Sequence, residues 1–192
     1  MEQTYKEASY LNTADLSGHT WESTWWLERK SIKDERRCKP CKEEHGKTIF
    51  VREQSNYRVK SHPSCRCYLA PMMAIQAGYA TKDGINGADY WLYYKKKLPE
   101  YYITREQAED LGWRSKKGNL AETAPGKMIG GIPYKNKNGH LPSAPGRIWY
   151  EADISYIVGF RGKDRILYSN DGLIFVTCDH YETFYEISER RN

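Results

Sequence analysis

The stretch Arg147-Ile-Trp-Tyr-Glu-Ala-Asp-Ile154 alternates apolar residues with charged or aromatic ones. Because successive side chains of a strand point to opposite faces, this period of two predicts a β-strand with one apolar and one charged face. Further on, Ile166-Leu-Tyr168 and Leu173-Ile-Phe-Val176 flank Ser169-Asn-Asp-Gly172, a pattern typical of a β-hairpin. A last strand is expected over 181–187. The second half of the chain is therefore predicted to contain a meander of strands.

Helices are predicted before these strands. One is expected over residues 85–96, and another begins at Thr104-Arg-Glu-Gln107, which has the form of a capping box. Gly112 suits the left-handed position that ends that helix. A short third helix is expected over 119–124. This order predicts an α+β fold in which N-terminal helices pack on one face of an antiparallel β-sheet.

The first part of the chain has a different character. Residues 1–70 are rich in charge and contain four of the five cysteines. Residues 69–81 have small side chains and no clear period. We therefore expect a small cysteine-rich domain over 1–70, a connector over 71–84 and a second domain over 85–192.

Length and charge limit the classes of function. The chain has 192 residues and a net charge of +5, which permits an anionic partner such as RNA without requiring one. No stretch approaches the roughly 18–20 apolar residues of a membrane span, so no membrane partner is expected. The N-terminus lacks a basic start followed by an apolar run. We expect a protein that is cytoplasmic as made, unless another route exports it.

Candidate catalytic residues lie in the strand-rich half. Glu151 and His180 are a carboxylate and an imidazole that can share acid and base work near neutral pH. Arg161 and Arg165 lie between them and add positive charge. RNA carries its own nucleophile, the 2′-hydroxyl, so an acid, a base and fixed cations suffice for its cleavage. A solvated sheet face, a structural histidine and a solvated arginine pair are the alternatives from pattern alone.

Several long stretches of the second half resemble the guanyl-specific, barnase-like bacterial ribonucleases. The resemblance covers over half of the chain, from about residue 85 to residue 187. The matching stretches are Leu98-Pro-Glu-Tyr-Tyr-Ile-Thr104, Leu111-Gly-Trp113, Lys117-Gly-Asn-Leu-Ala121, Ala124-Pro-Gly-Lys-Met-Ile-Gly-Gly131, Gly146-Arg-Ile-Trp-Tyr-Glu-Ala-Asp-Ile154, Gly159-Phe-Arg161, Asp164-Arg-Ile-Leu-Tyr-Ser169 and Asp179-His-Tyr-Glu-Thr-Phe184.

The resemblance implies a role for each catalytic candidate. Glu151 would take the proton of the 2′-hydroxyl, and His180 would protonate the leaving 5′-oxygen, giving a 2′,3′-cyclic phosphate without a metal. Arg161 and Arg165 would hold the phosphate. Two further positions carry over: Arg105 stands where the family usually has a lysine, and Asp153 matches an acid that braces the arginines.

The resemblance also implies a substrate-binding set. Tyr134 and Tyr181 match aromatic positions where bases stack. The guanine-recognition loop corresponds to the residues after Tyr134, but Lys137 and Asn138 replace the family's arginine and glutamate, and Ile132 replaces an aspartate. The expected substrate-binding residues are Tyr134, Lys135, Asn136, Lys137, Asn138 and Tyr181.

The cysteines of the first half have the spacing of zinc ligands. Cys38 and Cys41 form one close pair, and Cys65 and Cys67 form another, with His62 three residues before Cys65. Free thiols or two disulfides in an oxidising compartment are the alternatives. A structural zinc site is thus predicted at Cys38, Cys41, Cys65 and Cys67, apart from the metal-free catalytic chemistry.

A second resemblance concerns these cysteines. Arg37-Cys-Lys-Pro-Cys-Lys-Glu-Glu-His-Gly-Lys47 and Ser61-His-Pro-Ser-Cys-Arg-Cys67 resemble the C-terminal end of phage Mu-type head morphogenesis (minor capsid) proteins. Together the resemblances imply a toxin that acts after export or delivery, with a phage head or delivery component and a small acidic inhibitor as partners. The alternative is a phage head protein that binds RNA without cleaving it.

Overall fold

Nine strands form one sheet in the computed structural model, which describes residues 18–189. Residues 1–17 of the expected cysteine-rich domain and residues 190–192 lie outside this range. The strand order is β2-β1-β3-β9-β8-β7-β6-β5-β4. The strands are β1 Thr20–Lys30, β2 Thr48–Phe50, β3 Tyr68–Gln76, β4 Tyr102–Ile103, β5 Met128–Tyr134, β6 Trp149–Asp153, β7 Arg165–Ser169, β8 Ile174–Thr177 and β9 Tyr185–Ser188.

The helices are short and agree with the predicted positions in the second half. They are α1 Lys39–Glu43, α2 Ala88–Tyr90, which continues as a π-helical turn over Trp91–Lys95, α3 Arg105–Asp110 and α4 Leu120–Thr123. Single 3₁₀ turns cover Val51–Asn56, Gly84–Asn86 and Ser115–Lys117. The capping box is confirmed, since the Gln107 N–H donates to Thr104 and the Gln107 side chain accepts from the Thr104 N–H. Gly112 follows α3 with a φ of +97°.

The predicted connector over 71–84 is corrected in its first part. Residues 68–76 form β3, which pairs in parallel with β9 through Met73–Tyr185 and Ile75–Ile187. The strands of the cysteine-rich half thereby extend the same sheet, where the sequence predicted a separate small domain before it. No period of two was visible because the C-terminal part of β3 buries side chains on both faces: Met72 and Ile75 are both at most 2% exposed. The boundaries of the predicted domains stay a prediction.

The sheet separates two cores. Ile166 and Val176 pack with Ala88 and Leu92 of the first helical segment. Their strand neighbours Leu167 and Phe175 point to the opposite face and pack with a second set, Met72, Leu141, Trp149 and Phe184. Glu151 pairs with Leu167 in the register of β6 and β7, so it belongs to this second face. The helices on one face therefore leave the other face for the candidate catalytic groups.

The last strand begins later than the sequence predicts. β9 starts at Tyr185, because His180 and Tyr181 have φ values of +61° and +71° and lie in a tight loop. The predicted hairpin is confirmed, with β7 and β8 in antiparallel register around Gly172. No helix within residues 18–189 is long and apolar enough to cross a membrane.

Candidate active site

Glu151 occupies the middle of β6, between two strands that fix its position. Ile132 of β5 and Leu167 of β7 are its register partners. The Tyr181 hydroxyl donates a 2.6 Å hydrogen bond to Glu151 Oε2. Burial, followed by this hydrogen bond to the carboxylate, raises the pKa of Tyr181 well above its ordinary value, so the phenol remains a donor. Ile132, which stands where one member of the resembling family has an aspartate, thus lies directly beside the candidate base.

The predicted arginines lie on a buried carboxylate at the end of the same strand. Arg161 donates to both oxygens of Asp153, at 2.6 and 2.7 Å. Arg165 Nε lies 3.2 Å from Asp153 Oδ1 as an ion pair without hydrogen-bond alignment. Asp153 is 1% exposed, so this side of β6 is not the solvated face that pattern alone allowed. Burial lowers the pKa of Arg161, but Asp153 and then Glu151 outweigh it, and the net pKa is raised. The Arg161 guanidinium therefore stays charged.

His180 lies in an exposed loop between β8 and β9. Its ring is 4.9 Å from the ring of Tyr181, which places it next to the Glu151–Tyr181 pair. Asp179 Oδ1 fixes the loop by accepting from the backbone N–H groups of Glu182 and Thr183 and from the Thr177 hydroxyl. Burial opposes ionisation of Asp179, but these donors outweigh it and lower the pKa of the carboxyl.

The sequence analysis assigned no role to Asp179 or Thr177. The Thr177 hydroxyl also accepts from the Tyr181 N–H at 3.0 Å, so both side chains hold the loop that carries His180. An Asp directly before a short run of polar residues is a recognisable turn signal and could have been noted. Tyr102 and Tyr156 were also missed. Their hydroxyls donate to the carbonyl oxygens of Asp153 and Gly159, and no local sequence pattern marks them.

The candidate base-binding loop follows β5. Tyr134 stacks on Tyr181 with ring centroids 5.4 Å apart and planes 16° from parallel. Lys135, Lys137 and Asn138 are exposed. Asn136 has a φ of +43°, and its side-chain amide binds the backbone of Leu141 through both its oxygen and its nitrogen. The Asn136 side chain therefore shapes the loop, while its exposed neighbours face solvent.

Arg105 is not brought into contact with this cluster. It forms an ion pair with Glu109 at 2.9 Å, and its guanidinium lies 5.9 Å from the centre of the Trp113 ring. Both contacts lie within α3 and its C-terminal turn. The proposed catalytic role of Arg105 stays a prediction.

The cysteines converge as the sequence predicts, and a histidine joins them. Cys38 Sγ and Cys41 Sγ lie 3.1 and 3.2 Å from His62 Nε2, and Cys41 Sγ lies 3.5 Å from Cys65 Sγ. Cys41, Cys65 and Cys67 form a second close group. Ligands around one tetrahedral zinc, with bonds of about 2.0–2.3 Å, are separated by roughly 3.5 Å, so these donors fit the ion. All five cysteines of the chain are free thiols in this structure.

A buried arginine adjoins the sulfur atoms. Arg29 is 1% exposed, its NH2 lies 3.9 Å from Cys65 Sγ, and its NH1 pairs with Glu44 at 3.0 Å. Burial lowers the pKa of Arg29, but nearby thiol groups, Cys67 first, raise it overall. A cation beside Cys65 Sγ favours its thiolate, which is the form that binds zinc, whereas burial and the neighbouring thiol groups raise the pKa of Cys41.

Glu151 thus lies on the second face of the sheet with Asp153 and its two arginines, and His180 adjoins Tyr181, which binds Glu151. Such a site can move a proton from a hydroxyl, stabilise the negative charge of a phosphate and return a proton to a leaving oxygen. The stacked tyrosines offer apolar surface for a base. The arrangement suits a phosphodiester of RNA, whose hydroxyl lies next to the phosphate.

Comparison with known proteins assigns the class. A family model described as ribonuclease matches residues 88–188, more than half of the chain. The chain therefore belongs to the ribonuclease family. A ribonuclease of Heyndrickxia coagulans is 58% identical over 107 residues, which cover 56% of this chain and 95% of that protein. Ribonucleases of Bacillus intermedius and Bacillus pumilus are also 58% identical over 107 residues, covering 64% of each.

A solved structure is also similar over a shorter stretch. The crystal structure of ribonuclease Sa2 with guanosine-2′-cyclophosphate has 29% sequence identity and covers 32% of this chain and 66% of its own. The TM-score is 0.29, too low to define a shared fold. The first 87 residues lie outside the match to the ribonuclease family model.

Proposed function

We propose that the protein is an endoribonuclease that cleaves single-stranded RNA on the 3′ side of guanine by metal-free transesterification. The observation that carries the proposal is the position of Glu151, held by Tyr181 at 2.6 Å beside the arginines that Asp153 anchors. Membership of the ribonuclease family supports the choice of substrate.

The reaction uses these groups in order. Glu151 accepts the proton of the 2′-hydroxyl, and the 2′-oxygen forms a bond to phosphorus. The bond from phosphorus to the 5′-oxygen breaks, and His180 gives a proton to that oxygen. The products are a 2′,3′-cyclic phosphate and a 5′-hydroxyl. Arg161 and Arg165 stabilise the charge on the phosphate oxygens as it grows.

The guanine loop supplies the base preference in this proposal. Tyr134 and Tyr181 stack the base, and the segment Lys135–Asn138, whose conformation Asn136 fixes, reads its edge. Asn138 offers one acceptor oxygen and no charge, where the resembling family has a carboxylate. Guanine preference is therefore expected, but in a weakened form.

Incubation of the protein with single-stranded RNA and a chelator tests the proposal. We expect cleavage with cyclic-phosphate ends, and a loss of about 10²–10⁴-fold in Glu151→Ala or His180→Ala, the usual worth of a positioned acid or base. Glu100→Ala removes an exposed carboxylate elsewhere and is the matched control. RNA binding without cleavage by the unmodified protein would instead fit the phage head or RNA-binding alternative.

We also propose a structural zinc ion and a toxin role. The sulfur and nitrogen distances around Cys41 and His62 support the zinc. The toxin role, delivery after synthesis and a small acidic inhibitor rest on the resemblance of residues 37–67 to phage head proteins. Expression in a bacterial host tests the toxin role: growth should stop with the unmodified chain and continue with His180→Ala.

A further inference from the structure

A basic groove lies where the cysteine-rich half meets the candidate guanine loop. Its volume is about 780 Å³. Arg37, Lys39, Lys42 and His45 line one side, and Asn138 and His140 line the other. The first set lies outside the segment that matches the ribonuclease family model, so this groove is formed by both halves of the chain.

The two sides of the groove are firmly joined. The Thr48 N–H donates to the Gly139 carbonyl at 3.1 Å, and the Thr48 hydroxyl donates to the His140 carbonyl. Gly46 has a φ of +83°, and a Cβ there would lie 3.1 Å from the His140 ring. Glycine at this position thus lets the ring pack closely on the N-terminal half.

The groove is also connected to the catalytic residues. His140 Nδ1 lies 3.3 Å from the Tyr181 carbonyl oxygen, and Tyr181 binds Glu151. Lys33, three residues after β1, lies 3.8 Å from Glu182 of the His180 loop. An RNA whose guanine lies on residues 135–138 would therefore continue past the groove.

Two cations of the groove have no acidic partner among residues 18–189. Arg37 and Lys42 form no ion pair there, and Arg37 Nε is buried without a hydrogen-bond acceptor. The single acid of the groove, Glu43, lies 3.8 Å from Lys39. The Ser31 N–H donates to His45 Nδ1, so that ring is neutral and its Nε2–H is a further donor. The groove therefore presents donors and positive charge that call for an anionic acceptor.

We propose that this groove is a phosphate-binding subsite for RNA, contributed by the cysteine-rich half and occupied by nucleotides next to the cleaved guanosine. Arg37 and Lys42 each bind a phosphate of these nucleotides, and His45 Nε2 donates to the sugar–phosphate backbone. The subsite rests on the proposed ribonuclease function. It explains why the cysteine-rich unit packs on the guanine loop: the unit lengthens the stretch of RNA that the enzyme binds.

A comparison of short and long substrates tests the subsite. The substrates are a GpN dinucleotide, whose guanine lies on the loop but which has no further nucleotides for Arg37 and Lys42, and a single-stranded RNA with one central guanosine. In the Arg37→Gln/Lys42→Gln protein, kcat/KM for the long RNA should fall about tenfold at low salt, through KM, and GpN cleavage should not change. Lys95→Gln/Lys97→Gln removes two exposed charges on the helix-covered face, and should change neither.

A binding measurement makes the test independent of cleavage. Affinity for the long RNA is measured in the Glu151→Ala background across a range of salt. Loss of two phosphate contacts should reduce the slope of log affinity against log salt by about 1.4. If the unmodified protein does not cleave RNA, but the groove variant binds RNA more weakly than the control variant, the proposed function is rejected and the subsite is supported.

Two results would overturn the subsite. The first is equal RNA affinity and equal long-RNA cleavage in the groove and control variants, which would mean that the groove does not bind RNA. The second is an equal loss on GpN and long RNA, which would mean that the groove supports the catalytic loop and binds no additional nucleotides.

Discussion

The Tyr181 hydroxyl lies 2.6 Å from Glu151 Oε2 and joins the candidate base to the loop that carries the candidate acid. Tyr181 follows His180 directly, and Glu151 lies on β6, so a single hydrogen bond connects β6 to the β8–β9 loop. The same phenol ring stacks on Tyr134. One residue therefore positions the base and offers a surface for the substrate.

Tyr181→Phe should lower kcat/KM for RNA by about 10- to 100-fold, because the ring stays while a bond to a charged group, worth about 1.5–3 kcal/mol, is lost. Since the pKa of Tyr181 is raised, by burial first and by Glu151 next, the phenol is protonated throughout the neutral range. The ratio of kcat/KM between the unmodified protein and Tyr181→Phe should therefore be equal at pH 7 and pH 9. Tyr134→Phe keeps the same stacking and leaves the bond to Glu151 intact, so it should retain nearly full activity. Equal kinetics of the two variants would contradict the role given to Tyr181.

Asp153→Asn should destabilise the fold strongly. The change leaves Arg161 and Arg165 without their shared counter-charge in a buried site, and removing one partner of such a pair costs about 3–5 kcal/mol. Asp171→Asn is the control, since Asp171 pairs with Arg147 at the surface and should cost about 1 kcal/mol or less. Urea unfolding monitored by tryptophan fluorescence measures both. A cost for Asp153→Asn no larger than that of the control would mean that the arginines are solvated.

Asn138→Glu should sharpen guanine preference by about one order of magnitude, because a charge-assisted bond of about 1.5–3 kcal/mol replaces a neutral bond of about 0.5–1.5 kcal/mol. Asn138→Gln lengthens the side chain without adding charge and should have a much smaller effect. The ratio of GpN to ApN cleavage is the measurement. An unmodified protein already as selective as Asn138→Glu would show that the loop backbone reads the base.

Zinc should copurify with the reduced protein in a ratio of about one ion per chain, as expected for a structural site with four ligands. His62→Ala should weaken the binding at least about tenfold, since its Nε2 lies within 3.2 Å of two cysteine sulfurs. Cys178→Ser changes a thiol outside the cluster and should keep the metal. Chelation should leave GpN cleavage intact, because the proposed chemistry uses no metal. Elemental analysis without zinc would count against the site.

Acid should lower the stability of the folded protein through protonation of His45, a residue of the groove. Burial, and then the positive charge of Arg37 and Lys33, lowers the pKa of His45 to about 4 from 6.5. The unfolded chain binds a proton more readily than the folded chain, so His45 has no effect on stability above pH 6.5 and destabilises as pH falls toward 4. With the ring partly exposed, the loss should be about 1 kcal/mol. His45→Gln should remove this part of the pH dependence. Identical pH profiles of unfolding for the two proteins would contradict it.

Local sequence was sufficient for several elements. The alternation in residues 147–154 predicted β6, the Ser169–Gly172 turn predicted the β7–β8 hairpin, and Thr104 with Gln107 predicted the start of α3. Each of these signals acts over a few residues, through strand geometry, turn conformation or backbone capping. The cysteine spacing likewise predicted a cluster, which the structure brings together.

The tertiary structure alone decided how distant residues meet. The pairing of β3 with β9, which unites both halves in one sheet, joins segments more than a hundred residues apart, and no local pattern encodes it. The same is true of His62 beside Cys38 and of the groove between Arg37 and His140. The sequence by itself determined the local elements and the residue types available for chemistry. Burial and long-range packing decided which of those residues share a site. The reason is that a contact between segments far apart in sequence stabilises the protein only when the rest of the chain has folded around it.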